Sequence, residues 1–211
     1  MKVFVAGASG RVAQELIKRL VLKGHTVLAG ARKPQLIEQT EQVSPCALDL
    51  HSEVSELQDL LNGVDVVYFT AGSRGQDLLQ TDVFGAIKLM QAAEKAGVKR
   101  FIMLSSLFAL EPEKWSEAGL SELMDYNIAK FLADNYLIHQ TNLDYTILQP
   151  GALLEAPATG KIQINPHTVG SNPIADVAQV LATIINLPQT SKQVIKMISG
   201  GEAIDQALAD L

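Results

Sequence analysis

Short runs of β-branched and other apolar residues alternate along the chain with longer segments whose apolar positions recur at helical spacing, and the alternation continues to the last residues. Strands are expected at 2–6, 25–29, 43–48, 65–70, 100–104, 144–148 and 193–198. Most read as unbroken apolar runs, as strands covered on both faces do. Between them, Val12, Leu16, Ile17, Leu20 and Val21 form a helical stripe that stops at Gly24, a residue suited to a left-handed helix end. Val83, Ile87, Met90 and the following alanines form another, closed by Gly97. Segments 123–138 and 177–185 complete the helices, the last expected to open with Asn172 as N-cap and Pro173 as first helical residue. Val180, Leu181, Ile184 and Ile185 then face the core. Such an order predicts an α/β protein built on a doubly wound parallel sheet of about seven strands.

No repeat, low-complexity tract or linker divides residues 1–211, so one domain is expected. The irregular stretch is 150–173, with Pro157, Gly160, Pro166 and Gly170; after the sixth strand it would lie over the strand ends. Segments 107–120 and 151–173 are together expected to form a small region covering a substrate. Apolar residues make up 47% and charged ones 19%, the balance of a packed protein. No apolar run reaches the roughly 20 residues of a membrane helix, and Met1-Lys2-Val3-Phe4-Val5 enters a strand directly, so a cytoplasmic protein with no membrane partner is expected. A net charge of −6 argues against nucleic acid as a partner. The lone Cys46 reads as a buried small residue, since it has no second cysteine to pair with.

Candidate chemistry begins with Gly7-Ala8-Ser9-Gly10-Arg11-Val12-Ala13, between the first strand and the first helix. Gly7 would permit the tight turn, Gly10 close approach of a pyrophosphate and Ala13 close packing of helix on sheet. The phosphates would rest on free N–H groups at the helix N-terminus. The second strand runs out into Ala29-Gly30-Ala31-Arg32-Lys33, with no carboxylate for a ribose 2′-hydroxyl. Arg32, helped by Arg11, suits a 2′-phosphate instead, which favours NADP over NAD.

Tyr126 and Lys130 stand four apart in the helix before the sixth strand, on one helical face. A tyrosine titrates near ~10 and becomes useful as an acid or base at neutral pH when a nearby cation favours its phenolate. Lys130 would supply that charge and hold a ribose, while Ser105 and Ser106, ending the fifth strand, offer a hydroxyl to a substrate carbonyl. Other conspicuous residues read as structural. Gly85, mid-helix, marks a close approach, expected from sheet packing; Trp115 would line a pocket or pack. Asp176 would complement a helix dipole, and the four histidines, His25, His51, His139 and His167, lie scattered on surface or loops with no metal-ligand spacing, so no metal is expected.

These residues resemble the short-chain dehydrogenases/reductases, specifically the small atypical NAD(P)H-binding branch related to NmrA-like and epimerase/dehydratase-like proteins. The resemblance spans nearly the whole chain and adds Asp49-Leu50, Thr70-Ala71-Gly72, Phe101 to Ser106, Gln149-Pro150-Gly151 and Asp176-Val177-Ala178. It implies a Rossmann fold with the cofactor across the carboxyl edge of the sheet. Contacts would come from Gly7, Ser9, Gly10, Arg11, Val12, Arg32, Leu50, Thr70, Ala71, Gly72, Ser105, Lys130, Pro150 and Gly151, with Asp49 near the adenine. Ser106, Tyr126 and Lys130 would form the catalytic set. Where full enzymes complete a tetrad with Asn, this chain offers Asp82, and where many relatives carry Arg before the Pro-Gly it has Gln149.

The expected activity is NADP(H)-dependent oxidoreduction of a small carbonyl, alcohol or similar acceptor. Three other readings stay open. Nucleotide-sugar epimerase or dehydratase chemistry is one, although Pro150 at position 150 of 211 leaves little room for a sugar-nucleotide domain. A flavin or quinone reductase, in which Tyr126 is dispensable, is another. The third is a redox-sensing regulatory protein that binds NADP(H) without turnover. The sequence leaves oligomeric state open, a homodimer included.

Overall fold

The computed structural model describes residues 1–116 and 119–211, so the expected covering segment 107–120 lies outside the described residues at positions 117 and 118. β1 (Lys2–Ala6) leads through the glycine-rich turn into α1 (Arg11–Leu22), and β2 (Thr26–Ala31) and β3 (Val43–Ala47) follow. Then come α2 (Val54–Leu60), β4 (Val66–Phe69), a π-helical segment Leu78–Gly85 that runs into α3 (Ala86–Lys95), and β5 (Arg100–Leu104). α4 (Met124–Gln140) precedes β6 (Asp144–Pro150), β7 (Ala152–Leu154), β8 (Lys161–Ile164) and β9 (Ser171–Pro173). α5 (Ile174–Ile184), β10 (Gln193–Ser199), β11 (Glu202–Ala203) and α6 (Ile204–Ala209) complete the order.

The central sheet runs β11-β8-β10-β6-β5-β4-β1-β2-β3. From β3 to β10 every pairing is parallel, and β8 and β11 add antiparallel pairs at one end. Successive residues of a strand point to opposite faces. Val3 and Val5 therefore join a core beneath α1 and α5, whereas Phe4 and Ala6 join the other core beneath α2 and α3. This is the expected α/β architecture with nine strands in the sheet rather than about seven.

The differences sit where proline and glycine mask the pattern. The irregular stretch 150–173 contains β7 and β9, which pair with each other in parallel, and β8, which joins the main sheet through β10. Pro150 stands at the last position of β6, where the strand stops, and Pro173 at the end of β9, an edge strand of the two-stranded sheet. Pro173 is itself the N-cap of α5, not its first residue. Asn172 lies in β9, where its side-chain Oδ1 accepts a hydrogen bond from Gly151 N at 3.0 Å and caps no helix. α2 and α6 were not evident from the pattern, being only seven and six residues long. Gly85 does mark a close approach, but the neighbour is Leu50 after β3 and not the sheet: an added Cβ would lie 2.8 Å from Leu50 Cβ. His25 lies in the loop before β2 but is buried there, and its imidazole pKa is lowered by burial first and then by the N-terminal and Lys23 charges. Cys46 is half-buried, and burial pushes its thiol up to about 11.

Two buried polar ties fix the layers. Tyr68, fully buried on β4, donates its hydroxyl to Leu181 O of α5 at 2.8 Å, and burial raises its pKa far above the ordinary phenol value. At the amino edge, Arg100 donates to Asp144 Oδ1, Thr146 Oγ1 and Thr190 Oγ1, joining β5 to β6 and to the turn before β10. Replacing Tyr68 by Phe keeps the ring but strands the Leu181 carbonyl. The expected cost is about 1–2 kcal/mol in urea unfolding, with no change in m-value.

Candidate functional site

The carboxyl edge of the sheet opens between β1 and β4, where the strand order turns back on itself. Gly7 makes the turn there with φ +82°, and a Cβ on it would stand 2.6 Å from Ala71 Cα, so the loops after β1 and β4 touch backbone to backbone. Gly7 N and Ala8 N both donate to Gly30 O, which pins the loop to β2. Gly10 is the N-cap of α1 and offers no side-chain cap, and the first turn carries no acidic residue. The leading N–H groups of the helix are consequently left for an external acceptor.

A cavity of about 520 Å³ occupies this crevice. Its lining brings together Gly10, Arg11 and Val12 of the first loop with Thr70, Ala71 and Gly72 of the loop after β4. Asp82, Ser105, Ser106, Tyr126, Lys130, Pro150 and Gly151 line it as well. Gly7 lies behind this wall against Ala71. Ser9, Arg32, Asp49 and Leu50 are not part of the lining. Asp49 Oδ1 closes a local turn by accepting from His51 N, and Leu50 packs on Gly85. Arg32 is exposed after β2, close enough to Asp77 that its charge helps hold that carboxyl below the usual range; hydrogen bonds from Thr81 and His51 are the larger causes.

α4 carries Tyr126, Lys130 and Asp134 at intervals of four, on one face. Tyr126 is half-buried, and Lys130 Nζ lies 5.6 Å from the centre of its ring. Lys130 itself is 3% exposed, and among the described residues its ammonium donates no hydrogen bond. Its nearest carboxylate is Asp82 Oδ1 at 3.8 Å. Asp82 comes from the π-helical segment, is fully buried, and accepts from Ser73 N through Oδ2 at 2.9 Å; its Oδ1 and the Ser73 hydroxyl have no hydrogen-bond partner.

Asp134 is a functional candidate that sequence reasoning missed, although its spacing from Lys130 repeats that of Lys130 from Tyr126. It is fully buried and accepts from Ser105 Oγ at 2.6 Å and Gln149 Nε2 at 3.0 Å. Burial pushes its carboxyl up to about 6, against the opposing effect of those two hydrogen bonds and the Lys130 charge. Ser105 thus spends its hydroxyl on Asp134, which leaves Ser106 as the serine free to face a ligand. Gln149 points its amide to the same carboxylate.

The remaining wall is apolar: Leu104, Leu107, Leu120, Leu123, Leu153 and Val169, with exposed Arg74 among them. Gly170 crosses over Gly151 so closely that a Cβ at 151 would meet its carbonyl oxygen at 2.2 Å, which seats Val169 and Gly170 at the cavity. Trp115 packs rather than lining the cavity, donating its indole N–H to Phe108 O and meeting the Phe131 ring edge-on at 5.9 Å. Asp176 sits in the first turn of α5 and accepts from Thr159 N, Thr159 Oγ1 and Gly160 N, tying down the loop before β8. Arg11 pairs with Glu155 at 2.9 Å, both exposed. Among the described residues no helix is long and apolar enough to cross a membrane, and no group of three His, Cys, Asp or Glu side chains could hold a metal ion.

Comparison with known proteins places this geometry in context. A family model described as NAD(P)H-binding matches residues 7–188. The chain is 33% identical over 219 residues to the uncharacterized sugar epimerase YhfK of Bacillus subtilis, over the full length of both. The crystal structure of the oxidoreductase ylbE from Lactococcus lactis is similar at TM-score 0.97 and 46% identity, over 100% of this chain and 96% of that one. ChuY, an anaerobillin reductase from Escherichia coli O157:H7, is similar at TM-score 0.81 and 25% identity, over 94% and 97%.

Asp134 also gives the site a signature in folding. The native carboxyl holds its proton to about pH 6, whereas the unfolded chain releases it near ~3.9. Between these values the native state binds more protons, so stability falls as pH rises. Urea unfolding should show the wild-type advantage over Asp134→Asn shrinking by about 2 kcal/mol from pH 4 to pH 7. A difference that stays flat with pH would show that burial does not raise this carboxyl.

Proposed function

Because the chain belongs to the NAD(P)H-binding family, we propose that it is an NADP(H)-dependent oxidoreductase acting on a small carbonyl, alcohol or similar acceptor. The observation that carries this reading is the meeting, in one cavity, of the uncapped N-terminus of α1 with Ser106, Tyr126 and Lys130. The residues present fit a nicotinamide dinucleotide. Bare N–H groups suit its pyrophosphate, and the unbonded Lys130 ammonium beside the unpartnered Asp82 Oδ1 suits hydroxyls such as those of a ribose. The bound cofactor would supply or accept the hydride.

The chain's own residues do the rest. Ser106 donates a hydrogen bond to the reacting oxygen, and Tyr126 gives or takes its proton. Lys130 holds a positive charge under the Tyr126 ring and anchors the ribose. Arg32, standing where many NAD enzymes have a carboxylate, takes the 2′-phosphate, and Arg11 contributes from the glycine-rich loop. Asp49, after β3, would meet the adenine. The leucines and Val169 keep water from the acceptor.

That apolar wall favours a second reading: hydride transfer to a planar conjugated acceptor such as a flavin or quinone, with no proton from Tyr126.

Calorimetric titration of the cofactor-free protein should give NADPH binding at least roughly tenfold tighter than NADH, the scale of one charge-assisted contact. Arg32→Ala should remove that margin while leaving NADH affinity unchanged. Equal or tighter NADH binding would reject NADP preference. With an acceptor found in a carbonyl and flavin screen, Tyr126→Phe should lower kcat by about 100-fold or more. Turnover unaffected by Tyr126→Phe selects the second reading.

A further inference from the structure

Beneath the cleft, three charged side chains share one buried site: Asp82 and Lys130, both lining the cavity, and Asp134 one helical turn beyond Lys130. All three are at most 3% exposed. Two carboxylates therefore face a single ammonium. The other buried charges among the described residues are elsewhere and held by other groups: Asp176 by the 159–160 backbone and the Thr159 hydroxyl, and Lys88 by Ser52 O. The cations at the cleft's rim, Arg11 and Arg74, are exposed to solvent, where water and salt screen them.

Neither carboxylate is neutralised by its hydrogen bonds. Asp82 Oδ2 accepts from Ser73 N, and Asp134 Oδ2 accepts from the Ser105 hydroxyl and the Gln149 amide, donors that carry no charge. Each keeps its Oδ1 unbonded. With both ionised, the patch carries a net charge of about −1 in a low-dielectric setting, where a charge acts more strongly than in water. A nicotinamide ring is cationic when oxidised and neutral when reduced.

We infer that Asp82 and Asp134, outnumbering Lys130, act as positioning charges that bias the site towards the oxidised cofactor and so make the bound reduced cofactor a stronger hydride donor. The inference rests on the proposed NADP(H) reading. It assigns the pair of carboxylates a purpose that packing alone does not require. A unit charge acting across ~10 Å at an effective dielectric of ~20 alters a relative affinity by on the order of tenfold.

The bias should also respond to pH. Asp134 is faced by Lys130 from α4, Ser105 from the end of β5 and Gln149 from β6, and Lys130 is faced in turn by Asp82 from the π-helical segment. Protonation of the Asp134 carboxyl, held up at about 6 by burial, cancels the excess charge. The cofactor's 2′-phosphate is common to both redox forms, so its own titration drops out of their ratio.

The test is calorimetric titration with NADP⁺ and with NADPH, for wild type, Asp134→Asn and Asp82→Asn, at pH 8 and pH 6. At pH 8 each variant should raise the ratio Kd(NADP⁺)/Kd(NADPH) by on the order of tenfold over wild type. For wild type the same ratio should rise between pH 8 and pH 6, and for Asp134→Asn it should stay level. A purely structural role would move both dissociation constants together and leave the ratio alone, which overturns the inference while the NADP(H) reading survives. Failure of the wild-type protein to bind either form overturns both. The wild-type pH comparison decides the matter even if one variant does not fold.

Discussion

The site depends on one contact without a side chain, that of Gly7 with Ala71. Any Cβ at Gly7 would lie well within van der Waals contact distance of the Ala71 backbone, and the φ of +82° is itself the left-handed conformation that glycine adopts without strain. The contact lets the loops after β1 and β4 close on each other at the point where the strand order reverses. The N-terminus of α1 is thereby held across the crevice from α4. With the two loops farther apart, bare helix N–H groups and the Tyr126–Lys130 face would not share one cavity.

On the opposite wall, a single helical face does comparable work. Tyr126, Lys130 and Asp134 follow one another turn by turn, from the half-exposed rim of the cleft to its fully buried floor. Burying charge is costly unless polar partners accompany it. Here Ser73, Ser105 and Gln149 donate to the carboxylates, each from a different element: the loop after β4, the end of β5 and β6. The cluster therefore cross-links strand ends to helix, and its geometry is tied to that of the sheet. The π-helical turn has a comparable effect, since it precedes α3 and delivers Asp82 to the same place.

Much of this architecture is legible in the sequence because the signals are local. Continuous apolar runs mark the parallel strands, and the glycine-rich turn is read from its place between a strand and a helical stripe. The same holds for Tyr126 and Lys130, whose common face follows from spacing alone. What stays hidden depends on contacts between distant segments. Asp134 becomes meaningful only when β5 and β6 bring Ser105 and Gln149 against it. β7 and β9 consist of three residues each, paired through a register that no local pattern encodes. Pro173 shows local chemistry misleading outright: Asn-Pro before a helical stripe reads as a cap and first turn, yet the strand pairing of Asn172 draws both residues into the sheet layer.

The two ends of the main sheet differ from its interior in what they offer another chain. One end is β3, which carries Pro45, and the other is β11, only two residues long. Proline has no N–H to donate, and a two-residue strand presents almost no ladder of unpaired backbone groups. A nine-stranded sheet with long exposed edges would template its own growth through strand addition. This one ends in short or proline-interrupted edges, so its largest hydrogen-bonded surface offers an incoming strand no long unbroken ladder to extend.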